Sequence, residues 1–352
     1  MEGLMKNKHA QRIVFALLLT FTLLLAACGN NAANNNAAES AGTGESAAAA
    51  TASAAGSAAN GSATDSANGE SSTRIIKTVT GDVEIPVNPQ RVVTDGYLPN
   101  LLLLGIKPVG STQWDLENKV IADQIEGIEN TGERSLEKML DLDPDLIITW
   151  INPASDAKII EQYEKIAPTI AIPYGEFKDV HDAVNYFADI FGKQDAAEQW
   201  LADFDKDVQT AREQIGGVVK PEDTFALMGV FVVDKGFYVY GDGNYRGGEA
   251  IYKQLGLNPP AKQKAEMIGK EEYRQISYEV VGDYAGDYIF LDQGDMISEV
   301  WGEDEGVWKS LDAVKNNRVF QLDPDLFWGN DPISLRLQVQ ELARIITERA
   351  GS

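Results

Sequence analysis

Two series of short apolar runs, each alternating with helical runs, constrain the fold of this 352-residue chain more than any other feature. The first series predicts strands at 91–94, 146–149 and 169–172 and helices at 98–104 and 157–166. The second series predicts strands at 224–233, 237–240, 288–291 and 318–321 and helices at 248–255 and 334–349. Such alternation is typical of parallel βαβ units. The chain is therefore predicted to form two Rossmann-like α/β lobes.

A long helical stretch at 180–215, interrupted near Gly192, separates the two series. We expect its second part to be a single long interdomain helix, with a ligand cleft between the lobes. The predicted organisation is a signal peptide at 1–27, a lipidated cysteine and tether at 28–72, an N-terminal lobe at 73–178, a helical region with the bridging helix at 179–217, and a C-terminal lobe at 218–352.

The first residues have the pattern of a secretory signal peptide, because basic side chains precede the apolar run 13–25 and small residues follow it. The run is shorter than the ~20 apolar residues of a membrane-spanning helix. It closes with Leu25-Ala26-Ala27-Cys28, which resembles the bacterial lipobox. Cys28, the one cysteine of the chain, is predicted to carry the lipid of a cell-membrane anchor. The alternative is an unmodified cysteine at the end of an apolar segment.

Residues 28–72 consist mainly of Ala, Asn, Ser, Gly and Thr and contain almost no large apolar side chain. Such a segment cannot offset its conformational entropy by burial, so we expect a flexible tether. The formal net charge of the chain is −24. A nucleic-acid partner is excluded on this ground, since a phosphate backbone requires a basic footprint.

Aromatic side chains follow the predicted strands, where open α/β sheets bind their ligands. Each one alone could be ordinary packing, but together they indicate an aromatic small-molecule site. Arg246 lies in the glycine-rich turn 244–248 and offers a forked donor to anionic oxygens; the alternative is a surface arginine in a capping turn. The predicted ligand-binding residues are Tyr97, Trp114, Arg134, Trp150, Tyr174, Tyr245, Arg246 and Trp328.

Enzyme chemistry finds little support in the sequence. Once a signal peptide is removed, His181 is the remaining histidine, so neither a histidine-rich metal site nor a histidine-based triad can be assembled. The stretch 241–244 is glycine-rich but lacks the lysine and spacing of a phosphate-binding loop. We therefore predict no catalytic residue, no protein-bound metal and no cofactor.

Several segments, taken in order, resemble the ferric-siderophore group of substrate-binding proteins of ABC importers, in which a long helix bridges two lobes. The resemblance covers nearly all of residues 74–352. The segments that carry it are Val87-Asn88-Pro89-Gln90-Arg91-Val92-Val93, Gly132-Glu133-Arg134-Ser135-Leu136-Glu137, Leu142-Asp143-Pro144-Asp145-Leu146-Ile147-Ile148 and Asn330-Asp331-Pro332.

The resemblance implies a docking role for two glutamates, because in that family one exposed glutamate on each lobe meets arginines of the membrane permease. The matching positions are Glu137 and Glu279. The alternative is an ordinary surface carboxylate near a helix start, which the helix dipole also favours. The turn around Arg246 is similar to the segment that supplies an arginine to the ligand in hydroxamate-siderophore receptors. In those receptors an aromatic residue stands two positions before the arginine. In this chain Asn244 occupies that position.

The expected ligand is a ferric siderophore, bound by a monomeric receptor that delivers it to an ABC permease. A ferric tris-catecholate carries about three negative charges and calls for a basic cleft, whereas Arg246 and Arg134 are the basic candidates available. A neutral or cationic hydroxamate complex suits an aromatic cleft better. Haem, with Tyr97 or Tyr174 as ligand, and cobalamin stay open as alternatives. A secreted enzyme and an adhesion or structural lipoprotein are the competing classes.

Overall fold

The structure, a computed structural model, describes residues 73–350. The predicted signal peptide, Cys28 and the tether lie outside the described residues. Between residues 73 and 350, none of the helices combines the length and the apolar character needed to cross a bilayer.

The first half of the described chain builds a hairpin and a five-stranded sheet. The hairpin pairs β1 (Thr73–Thr78) with β2 (Gly81–Pro86). The sheet is entirely parallel and has the order β5-β4-β3-β6-β7. Its strands are β3 (Val92–Asp95), β4 (Gly110–Ser111), β5 (Glu129–Asn130), β6 (Leu146–Ile151) and β7 (Thr169–Pro173). The helices of this N-terminal lobe are α1 (Leu98–Leu103), α2 (Gln113–Leu116), α3 (Leu136–Asp141) and α4 (Ala157–Tyr163), with a 3₁₀ turn at Lys119–Ile121.

The second half builds a mixed sheet of order β10-β9-β8-β11-β12. Strands β8, β11 and β12 are parallel, and β9 runs antiparallel to both of its neighbours, β8 and β10. Its strands are β8 (Phe225–Phe231), β9 (Gly236–Tyr240), β10 (Tyr273–Gln275), β11 (Tyr288–Asp292) and β12 (Val319–Gln321). The helices are a π-helix (Glu249–Gln254), α7 (Ala261–Glu266), α8 (Val281–Tyr284), α9 (Ile297–Trp301), α10 (Glu305–Ser310), α11 (Asp312–Lys315) and α12 (Pro332–Ala350), with 3₁₀ turns at Tyr278–Val280, Gly294–Met296 and Gly302–Asp304. Two further helices lie between the two halves in the chain and link them. They are α5 (Val180–Phe191) and α6 (Gln194–Gly216).

Strand residues alternate between the two faces of each sheet, as the strand period of two requires. In β6, Leu146 and Ile148 face one apolar cluster, whereas Ile147 faces another together with Met139 of α3. The cluster that contains Leu146 and Ile148 also contains strand residues of the second sheet, such as Phe225 and Phe290. One continuous core therefore lies between the two sheets and holds both lobes.

One face of helix α6 packs into the apolar core that both lobes share. Its buried residues recur at spacings of three and four, which is the period of one helix face, at Ala197, Leu201, Phe204, Val208, Ala211 and Ile215. With 23 residues it is about 34 Å long. The preceding helix α5 ends at Gly192, whose left-handed backbone (φ 62°) stops the helix where the sequence predicts a break. The exact lobe boundaries at 178 and 217 stay predictions.

Two of the sequence segments that carry the family resemblance are bonded to each other. The Asp145 carboxylate accepts the backbone N–H groups of Gln90, at 2.6 Å, and Arg91, at 2.9 Å. In return, Nε of Arg91 donates to the carbonyl groups of Leu142 and Asp143. The C-terminal lobe repeats the arrangement, since Asp287 accepts the Thr224 backbone N–H at 2.9 Å. In each lobe an aspartate before one central strand thus fixes the start of its neighbour.

Replacing Asp145 with alanine should lower the free energy of unfolding by about 2 kcal/mol, because two backbone donors lose a charged acceptor. Urea denaturation followed by circular dichroism measures the change. Asp141→Ala, on the exposed face of α3, is the matched control and should stay within about 0.5 kcal/mol of the parent. Equal stability of the two variants would contradict the bracing role of Asp145.

Candidate functional site

A cleft of about 470 Å³ opens between the two lobes. Its volume lies within the range of ~300–1,000 Å³ that small-molecule sites occupy. The N-terminal lobe and the segment before α5 contribute the aromatic wall, and the C-terminal lobe contributes mainly polar residues. The residues that line the cleft include Gly96, Tyr97, Trp150, Tyr174, Glu176, Phe177, Lys178, Asp179, Gly243, Asn244, Glu249, Lys253, Glu272, Asn330 and Asp331.

Three of the aromatic residues predicted at strand ends line this cleft. Tyr97 follows β3, Trp150 is the next-to-last residue of β6, and Tyr174 follows β7. The Tyr97 ring packs on Phe177 and Phe187, at centroid distances of 6.3 and 5.1 Å. The strands that carry these residues are adjacent and parallel, so their carboxyl ends meet at one edge. Their contact with a ligand stays a prediction.

Gly96 has a backbone conformation that favours glycine, with φ of 92°. A Cβ atom at this position would overlap the indole ring of Trp150. The glycine between β3 and Tyr97 therefore makes room for the tryptophan at the cleft floor.

Arg134 is placed beneath Trp150 and does not line the cleft. Its Nε atom lies 2.7 Å from Oδ2 of Asp95, its Nη1 atom lies 3.7 Å from Asp156, and its Nη2 group donates to the Trp150 carbonyl. The guanidinium also lies 4.7 Å from the centre of the Trp150 ring. Its charge faces two carboxylates and it donates to one backbone carbonyl, so Arg134 holds the floor of the cleft in place.

Arg246 occupies the equivalent place in the C-terminal lobe. Its Nε atom lies 3.1 Å from Oδ2 of Asp292, the last residue of β11, and its guanidinium lies 4.3 Å from the centre of the Trp328 ring. Arg246 is 4% exposed, and its Nη1 group has no hydrogen-bond partner among the described residues. Arg246 therefore has one carboxylate partner and retains a donor for a further acceptor.

The strand-end argument does not explain how Arg246 reaches this place. Because β9 runs antiparallel to β8, the chain leaves β9 towards the amino end of β8, away from the carboxyl end of β11. The arginine is brought to Asp292 by the left-handed backbone of the turn, with φ of 55° at Arg246 and 85° at Gly247. Substituting Gly247 would bring a Cβ atom into the ring of the buried Phe327.

The remaining predicted ligand residues lie around the cleft without lining it. Trp114 in α2 is 50% exposed, and Trp328 is 65% exposed above Arg246. Tyr245 packs edge-on against Tyr273 at 5.0 Å and adjoins Asn244, which does line the cleft.

Several cleft residues were not predicted from the sequence: Phe177, Asn244, Glu249, Lys253 and Glu272. Glu272 precedes β10, an edge strand of three residues without an apolar run to reveal it. Its carboxylate accepts a hydrogen bond from the Tyr174 hydroxyl at 3.3 Å, which links the two lobes across the cleft. A contact between residues 98 positions apart cannot be predicted from local sequence patterns.

The predicted docking glutamates are exposed on separate lobes. Glu137 lies in the first turn of α3, whose N-cap Ser135 accepts the Lys138 backbone N–H at 3.4 Å. Glu279 lies in the 3₁₀ turn before α8, and a hydrogen bond from Ser277 lowers the pKa of its carboxyl group. Neither forms an ion pair with another described residue, so both carboxylates are available to an external partner.

No cluster of side chains among residues 73–350 has the composition of a metal site. His181 lies on α5, outside the cleft lining, and its Nε2 atom lies 3.1 Å from a carboxylate oxygen of Asp205 on α6. The histidine is therefore part of the α5–α6 packing.

Asp115 lies under the cleft floor and is hydrogen-bonded at the carboxyl ends of two adjacent strands, β3 and β4. Its Oδ2 atom accepts the Gly96 backbone N–H at 2.8 Å and the Ser111 hydroxyl at 2.6 Å. Burial raises the pKa of Asp115 to about 6, although these two hydrogen bonds oppose the shift. The ionised carboxylate is thus disfavoured in the folded chain.

Replacing Asp115 with asparagine should change how stability depends on pH. The pKa of Asp115 in the folded chain lies above the ordinary value of 3.8, so the ionised carboxylate lowers the free energy of unfolding above pH 6. This destabilisation becomes smaller as the pH falls from 6 towards 4. Between pH 7 and pH 5 the parent should gain about 1 kcal/mol relative to Asp115→Asn. Urea titrations at both pH values measure the difference, with the exposed Asp123→Asn as control. Parallel pH profiles of parent and Asp115→Asn would refute this assignment.

The two α/β lobes, the linking helices and the aromatic cleft between them define a ligand-binding protein of the bilobal type. Residues 93–326 match the periplasmic binding protein family, and the chain therefore belongs to that family.

The chain is 38% identical over 293 residues to the iron(3+)-hydroxamate-binding protein YxeB of Bacillus subtilis (strain 168), a match that covers 82% of this chain and 89% of that protein. It is 37% identical over 343 residues to the iron(3+)-hydroxamate-binding protein FhuD of the same organism, covering 95% and 96%. Its fold is similar to that of FhuD2 from Staphylococcus aureus with bound ferrioxamine B, with a TM-score of 0.66, 27% identity, and coverage of 74% of this chain and all of that one.

Proposed function

We propose that this chain is the substrate-binding protein of an ABC importer and that it captures a ferric siderophore of the hydroxamate class. The observation that carries the proposal is the cleft, in which an aromatic wall of the N-terminal lobe faces the glycine-rich turn of the C-terminal lobe. Gly243 and Asn244 of this turn line the cleft, and Arg246 lies buried just behind them. Two relatives that match most of the chain are named as iron(3+)-hydroxamate-binding proteins, and the similar FhuD2 structure holds ferrioxamine B.

The charges around the cleft favour a hydroxamate over a catecholate complex. Both arginines near the cleft already face buried aspartates, Arg134 with Asp95 and Arg246 with Asp292. The lining contains five carboxylates and two lysines. A complex with about three negative charges would meet net repulsion there, whereas a ferric trihydroxamate core has no net charge.

Haem is less well supported than a siderophore. A haem iron would take a histidine or a tyrosinate, and no histidine lines the cleft. Burial raises the pKa of both Tyr97 and Tyr174, which opposes formation of a phenolate.

Delivery to a membrane permease is part of the proposal. Glu137 and Glu279 would each meet a basic residue of one permease subunit, and Cys28 would carry the lipid that holds the monomeric protein on the outer face of the cell membrane. The exposed carboxylates at helix starts on the two lobes support the first role, and the lipobox-like sequence before Cys28 supports the second.

Tryptophan-fluorescence titration of the mature chain carrying Cys28→Ala tests the ligand. We expect saturable quenching by ferrioxamine B or ferrichrome with Kd below about 1 µM, and no saturation by a ferric catecholate, haem or cobalamin. Arg246→Lys keeps the charge opposite Asp292 but loses the forked donor, so binding should weaken about tenfold. Arg344→Lys, on the exposed face of α12, is the control. Saturation by haem, cobalamin or a catecholate alone would replace the ligand in this proposal.

Iron uptake in cells tests the docking glutamates. The double variant Glu137→Ala, Glu279→Ala should bind the ferric hydroxamate as the parent does but reduce uptake roughly tenfold, because each lobe loses its charge partner on the permease. The control is the double variant Glu161→Ala, Glu303→Ala, which removes two exposed carboxylates outside the cleft. Full uptake by the first variant would rule out the docking role.

A further inference from the structure

The cleft carries more negative than positive side chains. Its carboxylates are Glu176, Asp179, Glu249, Glu272 and Asp331, and its basic residues are Lys178 and Lys253. None of these carboxylates forms an ion pair with another described residue within 4.0 Å. The excess of negative charge is therefore not neutralised inside the protein.

Three of these carboxylates have a structural task. Asp179 caps α5 by accepting the Asp182 backbone N–H at 2.9 Å. Asp331 caps α12 in the same manner through the Ser334 backbone N–H, and its other oxygen accepts the Ser334 hydroxyl. Glu249 accepts a hydrogen bond from Gln254, and burial raises its pKa.

Glu272 differs from these three. It is half-buried at the start of β10, and the Tyr174 hydroxyl on the opposite lobe donates to its carboxylate at 3.3 and 3.4 Å. A tyrosine hydroxyl leaves the negative charge of the carboxylate intact. The contact also places the carboxylate between the lobes, beside Tyr174, whose hydroxyl also lies near Tyr245.

The charge of a ferric trihydroxamate depends on its pendant groups, because the three hydroxamate anions cancel the charge of Fe³⁺. A pendant ammonium makes the complex cationic. A carboxylate in a cleft that also has an aromatic wall offers such a group an ion pair, with aromatic rings nearby for cation–π contact.

We propose that the cleft selects ferric hydroxamates that carry a positive charge, and that Glu272 is the specificity-determining residue that meets the pendant cation. This inference rests on the proposed function. It adds a preference within the hydroxamate class and assigns that preference to one carboxylate.

The test compares ferrioxamine B, which has a pendant ammonium, with its N-acetylated form, which has the same iron-binding core and no pendant charge. Titrations of the mature chain carrying Cys28→Ala should show about a fivefold tighter Kd for the ammonium form, the upper end for a solvent-accessible ion pair. In Glu272→Gln the ratio of the two Kd values should fall below about twofold. The preference of the parent should also shrink between about 0.05 M and 0.5 M NaCl.

Two matched variants separate charge from structure. Tyr174→Phe removes the hydroxyl that donates to Glu272 and keeps the carboxylate, so the ratio of the two affinities should persist. Glu303→Gln removes an exposed carboxylate that does not line the cleft, and its ratio should equal that of the parent.

The outcomes distinguish this inference from the function on which it rests. If neither ferrioxamine form binds, the proposed function fails. If both bind with equal affinity to the parent, the function stands and the charge preference is overturned. If the preference persists in Glu272→Gln, the assignment to Glu272 is overturned.

Discussion

One apolar core packs both sheets against the same helices, and the geometry of the cleft depends on it. Side chains from β6 of the first sheet and β8 of the second belong to the same cluster, together with the buried stripe of α6 and residues of α12 such as Val339. Fully burying a large apolar side chain contributes about 1.5–3 kcal/mol, so a cluster of this size strongly favours one relative position of the lobes. The cleft lies beside this core, and its width is fixed by packing.

Each lobe presents a similar arrangement to that cleft. An arginine with left-handed backbone, Arg134 or Arg246, pairs with an aspartate at the end of a central strand and lies against a tryptophan ring. The difference between the two lobes is chemical. Arg134 has two carboxylate partners and a carbonyl acceptor, whereas Arg246 has one carboxylate partner and an unused donor. The N-terminal arginine thus supports the floor, and the C-terminal one can still donate a hydrogen bond to a ligand oxygen.

Much of the fold could be predicted because its strands are apolar runs bounded by breakers. The predicted strands at 146–149 and 288–291 correspond to β6 and β11, and the predicted hairpin corresponds to β8 and β9. The sequence did not predict β5 and β10, since strands of two or three largely exposed residues have no hydrophobic pattern. The short helices α8 to α11 were not predicted either, because helices of four to six residues are too short to show a helical period.

The site could be predicted only where it follows the strand ends. Tyr97, Trp150 and Tyr174 lie in the cleft lining as the parallel sheet dictates, but Glu272 enters it from an edge strand of the other lobe. The depth of Arg134 likewise depends on partners that are distant in sequence, Asp95 and Asp156.

The shared core also bears on how a bound ligand can leave. Opening the lobes widely would expose apolar surface around α6 to water, so large spontaneous excursions are energetically unfavourable. Loaded and empty forms are then expected to have nearly the same outline. A transporter that meets this protein would recognise its cargo at the cleft rim, and the work of release would have to come from the transporter's own cycle.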